Sequence, residues 1–306
     1  MAKGVGVAQA WWGGEDVDGP EAVAARLDGV DYLAGDGVGT AAYLALRMGR
    51  PLLVEGEPGV GKTALAQALA QAFAVPLFRL QCYEGLDASQ ALYDWDFPRQ
   101  MLHLRAAGAA GESDAATLEA GLYDRRYLIS RPVLAAIEAS PAVLLVDEVD
   151  RADDEFDAFL LEVLSDFAVT VPELGRIAAT VPPLVVLTSN RTRELHDALK
   201  RRCLYHWLDH PDHAREVAIV RRRLPEVSTR LAEDVVRAVG RLRAADLVKP
   251  PGVAETLDWA GALLVLGVRE LDPEAAARTL GAVLKHREDL ESVRAAGFDR
   301  LLAVGG

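Results

Sequence analysis

The sequence has few cysteines and no long apolar segment, and each absence excludes a class of protein. Only two of the 306 residues are cysteines, Cys82 and Cys203, and they form neither a CxxC pair nor a disulfide framework. The longest strongly apolar stretch, WAGALLVLGV, is about half as long as a bilayer-spanning helix. The N-terminus lacks the apolar core of a signal peptide. We therefore expect a protein of the reducing cytoplasm.

The chain also lacks an excess of basic charge. Its formal net charge is −13, and the excess acid falls within residues 1–210, whereas the remainder is balanced. Nonspecific binding of nucleic acid depends on Lys and Arg that neutralise phosphates. This balance argues against nucleic-acid binding as the main function, although it does not exclude a basic pore formed on assembly. An apolar content of 51% is ordinary for a globular protein.

Short apolar runs alternate with helical patterns through the first two thirds of the chain. Five runs have the length and composition of buried strands, namely PLLVEG, PLFRLQC, AVLLVDEVD, PLVVLTSN and CLYHWL. Helix-forming stretches lie between them, such as VGTAAYLALRM, KTALAQALAQAF and EFDAFLLEVLSDF. Strands and helices in this alternation predict an α/β fold with a doubly wound, parallel, five-stranded sheet.

The pattern changes on both sides of this segment. Residues 1–27 are rich in Gly and acids and contain the isolated pair Trp11 and Trp12, so we expect a flexible tail. After DHPDH the strands stop, and amphipathic helices broken at LVKPPG and LDP follow. We therefore expect an α/β domain at 28–210 and a helical domain at 211–306.

GEPGVGKT lies between a predicted strand and a predicted helix, the context that identifies a phosphate-binding loop. Gly59 and Gly61 allow the backbone to turn sharply, so that successive N–H groups point at phosphate oxygens. Lys62 would reach the β- and γ-phosphates of ATP, and Thr63 would offer its hydroxyl to Mg²⁺. The helix that follows adds its N-terminal dipole. The predicted nucleotide-binding residues here are Gly56, Glu57, Pro58, Gly59, Val60, Gly61, Lys62, Thr63 and Ala64.

VLLVDEVD predicts the other half of a nucleotide site. Its apolar strand ends at Asp147, where a carboxylate can hold Mg²⁺ directly or through water. Glu148 could act as a general base that polarises water for attack on the γ-phosphate. Alternatively, Glu148 and the three aspartates after it form a solvated acidic turn. This interpretation fits Asp150, Asp153 and Asp154 better than Glu148. A DE pair directly after an apolar strand favours hydrolysis over transfer to a second substrate.

With these motifs the sequence resembles the AAA+ ATPases, and among them the MoxR family, from about Asp31 onward. The Gly-rich loop matches the Walker A motif and LLVDEVDRA matches Walker B. LTSN puts Asn190 at the sensor 1 position, where a polar side chain helps to orient the attacking water. ALKRRC matches the segment of the arginine finger, which reaches the neighbouring subunit's γ-phosphate, with Arg202 as first choice and Arg201 as second. The alternative is a surface basic cluster at a helix C-terminus.

Two longer stretches are similar to the CoxD-type ATPases associated with maturation of carbon monoxide dehydrogenase, CYEGLDASQALYDWDFPRQMLHLR and PELGRIAATVPPLVVLTSN. The resemblance implies an insertion within residues 83–131, which either touches clients at the pore of a ring or is a passive surface loop. It also implies a chaperone-like, Mg²⁺-dependent ATP hydrolase in a hexameric ring. The implied partners are a von Willebrand factor A protein and a molybdenum–copper hydroxylase client.

Three positions refine this resemblance. MoxR relatives often carry a sensor 2 arginine in their helical lid, whereas the corresponding PPGVAETLDWA has Glu255 and Thr256 and no Arg. Tyr32 and Leu33 lie where AAA+ proteins often pack the adenine. Gln81, at the end of the second predicted strand, could hold Glu148 inactive until a client binds.

Two other functions share the nucleotide site. A DNA-remodelling motor should carry a basic patch or an appended DNA-binding helix pair, and neither is apparent in the sequence. A regulatory switch would bind ATP with little turnover, and Glu148 together with Asn190 argues against it. Hydrolysis that remodels another protein is the function that the sequence favours.

Overall fold

Apolar runs bounded by Gly, Pro or charged residues form the strands in the computed structural model, which describes residues 17–109, 121–298 and 302. The strands are β1 (Leu52–Glu55), β2 (Leu77–Gln81), β3 (Tyr93–Trp95), β4 (Leu128–Ser130), β5 (Val143–Asp147), β6 (Ala168–Val171), β7 (Gly175–Ala178), β8 (Leu184–Ser189) and β9 (Leu204–Trp207).

Five of these strands form one sheet in the order β2-β5-β8-β1-β9. The pairs β2–β5, β5–β8 and β8–β1 are parallel, with Gln81 opposite Asp147 and Glu55 opposite Ser189. Every residue of β1, β5 and β8 is buried, as expected of central strands that are covered on both faces. The carboxyl ends of the parallel strands therefore meet at one edge of the sheet, where α/β folds place their ligand sites.

The predicted strands and fold class are confirmed, since each of the five apolar runs is a strand of this sheet. Two antiparallel pairs were not predicted: β3 with β4, both inside the segment 83–131, and β6 with β7. Among the described residues, no helix combines the length and the apolarity that crossing a membrane requires.

No strand follows β9 among the described residues, and the helices follow the predicted pattern in the N-terminal two thirds. They are α1 (Pro20–Asp28), α2 (Val38–Met48), α3 (Lys62–Ala72), α4 (Ala88–Leu92), α5 (Phe97–Ala109), α6 (Pro132–Ala139), α7 (Asp154–Asp166), α8 (Asp197–Arg202), α9 (His213–Arg223), α10 (Thr229–Arg243), α11 (Val253–Val265), α12 (Pro273–Val283) and α13 (Arg287–Ala296).

The chain divides into two compact units, each with its own apolar core. The predicted boundary at residue 211 lies four positions after the start of the C-terminal part of the second unit, Trp207. The second unit also takes in two earlier stretches, so the Gly-rich loop groups with the C-terminal helices. The first unit comprises Met1–Arg26, Gly37–Glu55 and Ala66–His206, and the second comprises Leu27–Asp36, Gly56–Leu65 and Trp207–Gly306.

The expectation of a flexible tail through residue 27 is wrong for its last part. Helix α1 begins at Pro20, and its Val23 and Leu27 are fully buried. Pro suits the first turn of a helix, and apolar residues four apart share one helix face, so this short segment has a buried side. Trp11 and Trp12 lie outside the described residues.

A buried hydrogen bond in the core of the second unit gives a stability prediction. The Trp259 indole, which is fully buried, donates from Nε1 to Thr279 Oγ1 at 2.7 Å. Thr279→Val keeps the side-chain shape but leaves the indole N–H without its acceptor. We expect the free energy of unfolding to fall by about 1–3 kcal/mol, measured by denaturant titration. Thr279→Ser keeps the hydroxyl and should lose less, and equal losses in the two variants would contradict this account.

Candidate nucleotide-binding and catalytic site

Asp147 ends β5 in the first unit with both carboxylate oxygens occupied. It is 3% exposed. Its Oδ1 accepts a hydrogen bond of 2.6 Å from the Thr188 hydroxyl, and its Oδ2 accepts one of 2.6 Å from Arg79 Nη2. Thr188 lies on the neighbouring β8 and Arg79 on β2, the strand on the other side. A buried carboxylate bonded to a guanidinium occupies a position that accepts positive charge.

Glu148 follows β5 directly and is held by side chains from both neighbouring strands. Gln81 Nε2 donates to Glu148 Oε2 at 2.9 Å, and Asn190 Nδ2 lies 3.5 Å from Oε1. The Glu148 backbone is left-handed, with φ 55°, and its N–H donates to Thr188 Oγ1 at 2.9 Å. The Arg151 guanidinium also reaches this carboxylate, at 3.0 Å. The contact that the Gln81 hypothesis requires is therefore present.

The three acids after Glu148 do not form one solvated turn. Asp153 and Asp154 are exposed, and Asp153 caps α7 by accepting from the Phe156 N–H. Asp150 is only 2% exposed, so the solvated-turn alternative is wrong for it. Its Oδ2 accepts hydrogen bonds from the segment that follows β8. Asp150 is thus part of the candidate catalytic centre.

The two candidate finger arginines differ in their contacts. Arg202 donates from Nη1 to the Leu161 carbonyl at 2.9 Å and also bonds Ser165, so its guanidinium is tied to α7 of its own subunit. The carbonyls of both candidates accept hydrogen bonds from Arg50, which fixes the end of α8. The Arg201 side chain is exposed and has no polar partner among the described residues. Of the two, Arg201 is the one that is free to reach another molecule.

The Gly-rich loop belongs to the second unit and adopts a conformation that needs its glycines. Gly59 and Gly61 have φ values of 81° and 101°, which L side chains rarely adopt. Lys62, at the start of α3, donates from Nζ to the carbonyls of Gly56 and Glu57 at 2.7 and 2.8 Å. The lysine side chain thus folds back over the loop.

The N-terminus of α11 packs against this loop inside the same unit. Val253 N–H donates to the Gly59 carbonyl at 3.0 Å. Glu255 and Thr256, the residues found in place of a sensor 2 arginine, both bond Gly252: Glu255 Oε2 caps its N–H at 2.9 Å, and Thr256 Oγ1 donates to its carbonyl at 3.1 Å. These residues hold the end of α11 against the loop and present no cation to it.

Arg243 is a candidate for a substitute lid arginine because it bonds the Pro251 carbonyl just before α11, but its guanidinium is already engaged. It forms two hydrogen bonds, of 2.6 and 2.7 Å, with the buried Glu216 and donates from Nε to the Pro251 carbonyl at 2.7 Å. A paired and largely buried guanidinium of this kind stabilises the helices that it joins. No sensor 2 residue is therefore assigned.

Tyr32 and Leu33 lie in the second unit together with the Gly-rich loop. Burial raises the pKa of the Tyr32 phenol, and the Arg215 guanidinium opposes that rise. The phenol is therefore neutral at physiological pH. The adenine-packing role of the two residues stays a prediction.

Both cysteines are buried free thiols. Burial, together with the smaller effect of the Asp147 carboxylate, raises the pKa of Cys82 to about 12. Burial also raises the pKa of Cys203 to about 12, against the opposing effect of Arg50. Because the thiolate is the reactive form, neither cysteine is suited to nucleophilic chemistry at neutral pH.

Sequence reasoning missed three residues of the site, and weak signals for each were present. Thr188 precedes Asn190 by two positions at the end of a strand, and Arg79 precedes Gln81 by two on β2. Residues two apart on a strand share a face, so Arg79 lies on the same face of β2 as Gln81, and Thr188 lies close to Asn190 at the end of β8. Asp150 follows Glu148 by two, but its burial depends on the loop after β8, which the local sequence does not reveal.

A buried parallel sheet, a Gly-rich loop between β1 and α3 and an acidic pair after β5 define the P-loop class of ATP-binding α/β proteins. The sequence of residues 51–203, half of the chain, matches the family described as AAA domain (dynein-related subfamily). The chain belongs to this family of AAA+ ATPases. The MoxR and CoxD-type resemblance is finer than this match and stays a prediction.

Individual relatives share only parts of their length with this chain. Nuclear valosin-containing protein-like from Mus musculus is 25% identical over 50% of this chain and 14% of its own length. Midasin from Giardia intestinalis is 48% identical over 16% of this chain and 1% of its own. Solved structures of Thermotoga maritima RuvB are 17% identical; one of a mutant has a TM-score of 0.48 and covers 89% of this chain and 72% of that one. Another, titled a Holliday junction branch migration motor, has a TM-score of 0.46 with coverages of 82% and 70%.

The contact between Gly59 and Gly252 predicts that neither position tolerates a side chain. A Cβ on Gly252 would lie 2.7 Å from Gly59 Cα and 2.8 Å from the Pro58 carbonyl oxygen, so the backbone would have to shift. We expect Gly252→Ala to lower the free energy of unfolding by about 1–3 kcal/mol. Gly240→Ala, inside α10 with open space around it, should raise it by roughly 0.5–1 kcal/mol. Thermal denaturation of both variants measures these changes in stability. A Gly252→Ala protein as stable as the wild type would contradict the prediction.

Proposed function

We propose that this protein hydrolyses ATP to ADP and phosphate, with Glu148 as the base that activates water. The observation that carries the proposal is the setting of Glu148. It stands directly after a fully buried strand, beside the amide groups of Gln81 and Asn190, with its side chain 29% exposed. A partly exposed carboxylate next to amide groups can take a proton from water and keep its orientation while doing so.

The proposed roles follow from the groups present. Water attacks the γ-phosphorus while Glu148 takes its proton, and the bond from the γ-phosphorus to the bridging oxygen breaks, releasing ADP and phosphate. Asn190 orients the water through its amide. Lys62 and the backbone N–H groups of the Gly-rich loop bind the phosphate oxygens.

Thr63 and Asp147 would hold Mg²⁺, which supplies neutralising charge to the phosphates when bound. A hydroxyl and a carboxylate are the hard oxygen ligands that this ion prefers. Asp147 already bonds a cation, the Arg79 guanidinium, which supports its suitability for positive charge. The Arg79 guanidinium would have to move away from Asp147 before the carboxylate could become a ligand of Mg²⁺.

We further propose that hydrolysis remodels another protein in the cytoplasm, in a ring that is most simply a hexamer. An arginine that acts in a neighbour's site requires such an assembly. Helix α5, inside the 83–131 segment, exposes Phe97, Met101 and Leu102, and apolar side chains exposed in this way suit contact with a client polypeptide. The CoxD-type resemblance supports a metalloenzyme client, such as a molybdenum–copper carbon monoxide dehydrogenase, and a von Willebrand factor A partner.

ATP binding and turnover of three variants test this function. Lys62→Ala should fail to bind ATP. Glu148→Gln should bind normally and turn over at least about 100-fold more slowly, because it lacks the base. Gln81→Ala should raise basal turnover by freeing Glu148. The matched control is Glu162→Gln, at an exposed glutamate of α7, which should behave as wild type.

Two outcomes of this assay would reject the proposal. Normal turnover by Glu148→Gln would remove the base assignment. Stimulation of the wild type by DNA and not by the candidate client would favour the DNA-remodelling motor over the protein-remodelling one. An unchanged Gln81→Ala, with and without client, would reject the restraint of Glu148 alone.

The different contacts of Arg201 and Arg202 give a second test. We expect Arg201→Ala to lose at least about 100-fold in turnover as a finger supplied in trans, and to regain activity when mixed with Glu148→Gln, because the mixed ring contains intact sites. Arg202→Ala, which removes contacts to α7, should mainly lower thermal stability. If instead Arg202→Ala is inactive and rescued by mixing while Arg201→Ala is active, Arg202 is the finger.

A further inference from the structure

Asp150 lies two residues after Glu148 in the first unit, and its carboxylate binds the turn that carries Asn190. A single oxygen, Oδ2, accepts three hydrogen bonds: from Asn190 N–H at 3.2 Å, from Thr192 N–H at 2.8 Å and from Thr192 Oγ1 at 2.7 Å. The side chain is 2% exposed, so little water reaches these bonds. Hydrogen bonds to a charged acceptor in such surroundings are strong and directional.

The backbone of this turn directs two N–H groups at one carboxylate oxygen, as the backbone of an anion-binding nest does. Arg191, between the two donor residues, has φ 59°, a left-handed conformation that is uncommon for a residue other than glycine. Alternating right- and left-handed residues point alternate N–H groups at one spot, where an anion fits. Here the anion is the Asp150 carboxylate, so the strained turn and the buried charge stabilise each other.

The other oxygen of Asp150 has no hydrogen-bond partner among the described residues, although it is buried. A buried charged oxygen without a donor costs stability, and such an atom calls for an explanation. The three hydrogen bonds on Oδ2 hold the carboxylate in this buried position, and all three come from the turn that begins with Asn190.

We propose that Asp150 is a positioning residue for the hydrolysis reaction: it fixes the turn 190–192 and thereby aims the Asn190 amide at Glu148 and the attacking water. This inference rests on the proposed ATP hydrolysis. Asn190 Nδ2 lies 3.5 Å from Glu148 Oε1, a distance at which a small rotation of the turn breaks or completes the contact. In this proposal Asp150 acts through the turn and needs no contact of its own with ATP or with the attacking water.

A double-mutant cycle on the full-length protein tests the inference through the turnover number. Asn190→Ala should lower kcat by roughly 100-fold, because an oriented donor is lost. Asp150→Ala should lower kcat by a similar factor while the affinity for a non-hydrolysable ATP analogue stays within about two-fold. The double variant should be no slower than Asn190→Ala, because Asp150 acts only through that side chain.

A matched pair at Thr192 keeps the test decisive if Asp150→Ala does not fold. Thr192→Val removes only the hydroxyl donor and should lower kcat, whereas Thr192→Ser retains it and should restore wild-type turnover. The control is Asp153→Ala, at an exposed carboxylate that caps α7 through the Phe156 N–H. It should lower the melting temperature and leave kcat unchanged.

Each outcome decides the inference. Losses that multiply in the double variant, or a Thr192→Val protein with wild-type kcat, would overturn it, since the carboxylate would then act independently of Asn190 or not at all. If the wild type hydrolyses ATP and Asp150→Ala has the same kcat, this inference alone is overturned. A wild type without hydrolysis would overturn the proposed function and this inference together.

Discussion

The Thr188 hydroxyl donates a hydrogen bond to the Asp147 carboxylate and accepts one from the Glu148 backbone N–H, which ties the end of β8 to the acidic pair after β5. Asp150 completes the reciprocal tie, from the segment after β5 to the turn after β8. Two adjacent parallel strands are thus cross-braced where they end. The strained backbone of Glu148 persists because its surroundings over-determine it.

The same edge of the sheet is held from its other side by β2. Arg79 bonds Asp147, and Gln81 bonds both Arg79 and Glu148, so the Asp147 and Glu148 carboxylates share one hydrogen-bonded network. A change in the hydrogen bonds of one carboxylate alters those of the other, because Arg79 and Gln81 are bonded to each other. Under the proposed function, this network would link nucleotide occupancy to the position of the Glu148 carboxylate.

The Gly-rich loop has its own support in the second unit. A hydrogen bond from Val253 to Gly59 and a contact between two glycine backbones hold it against the start of α11. The Glu255 carboxylate caps the Gly252 N–H beside this contact, so backbone groups and one acidic side chain join α11 to the loop.

The sequence by itself determined the sheet, the Gly-rich loop and the acidic pair, because strand periodicity, backbone freedom at glycine and a strand-terminal carboxylate are local properties. It assigned the N-terminal helix to a flexible tail and left a solvated turn open for Asp150, since burial depends on what packs nearby. Only the tertiary structure separated Arg201 from Arg202. Two adjacent arginines look alike in sequence, and the Leu161 carbonyl that binds Arg202 comes from a distant helix.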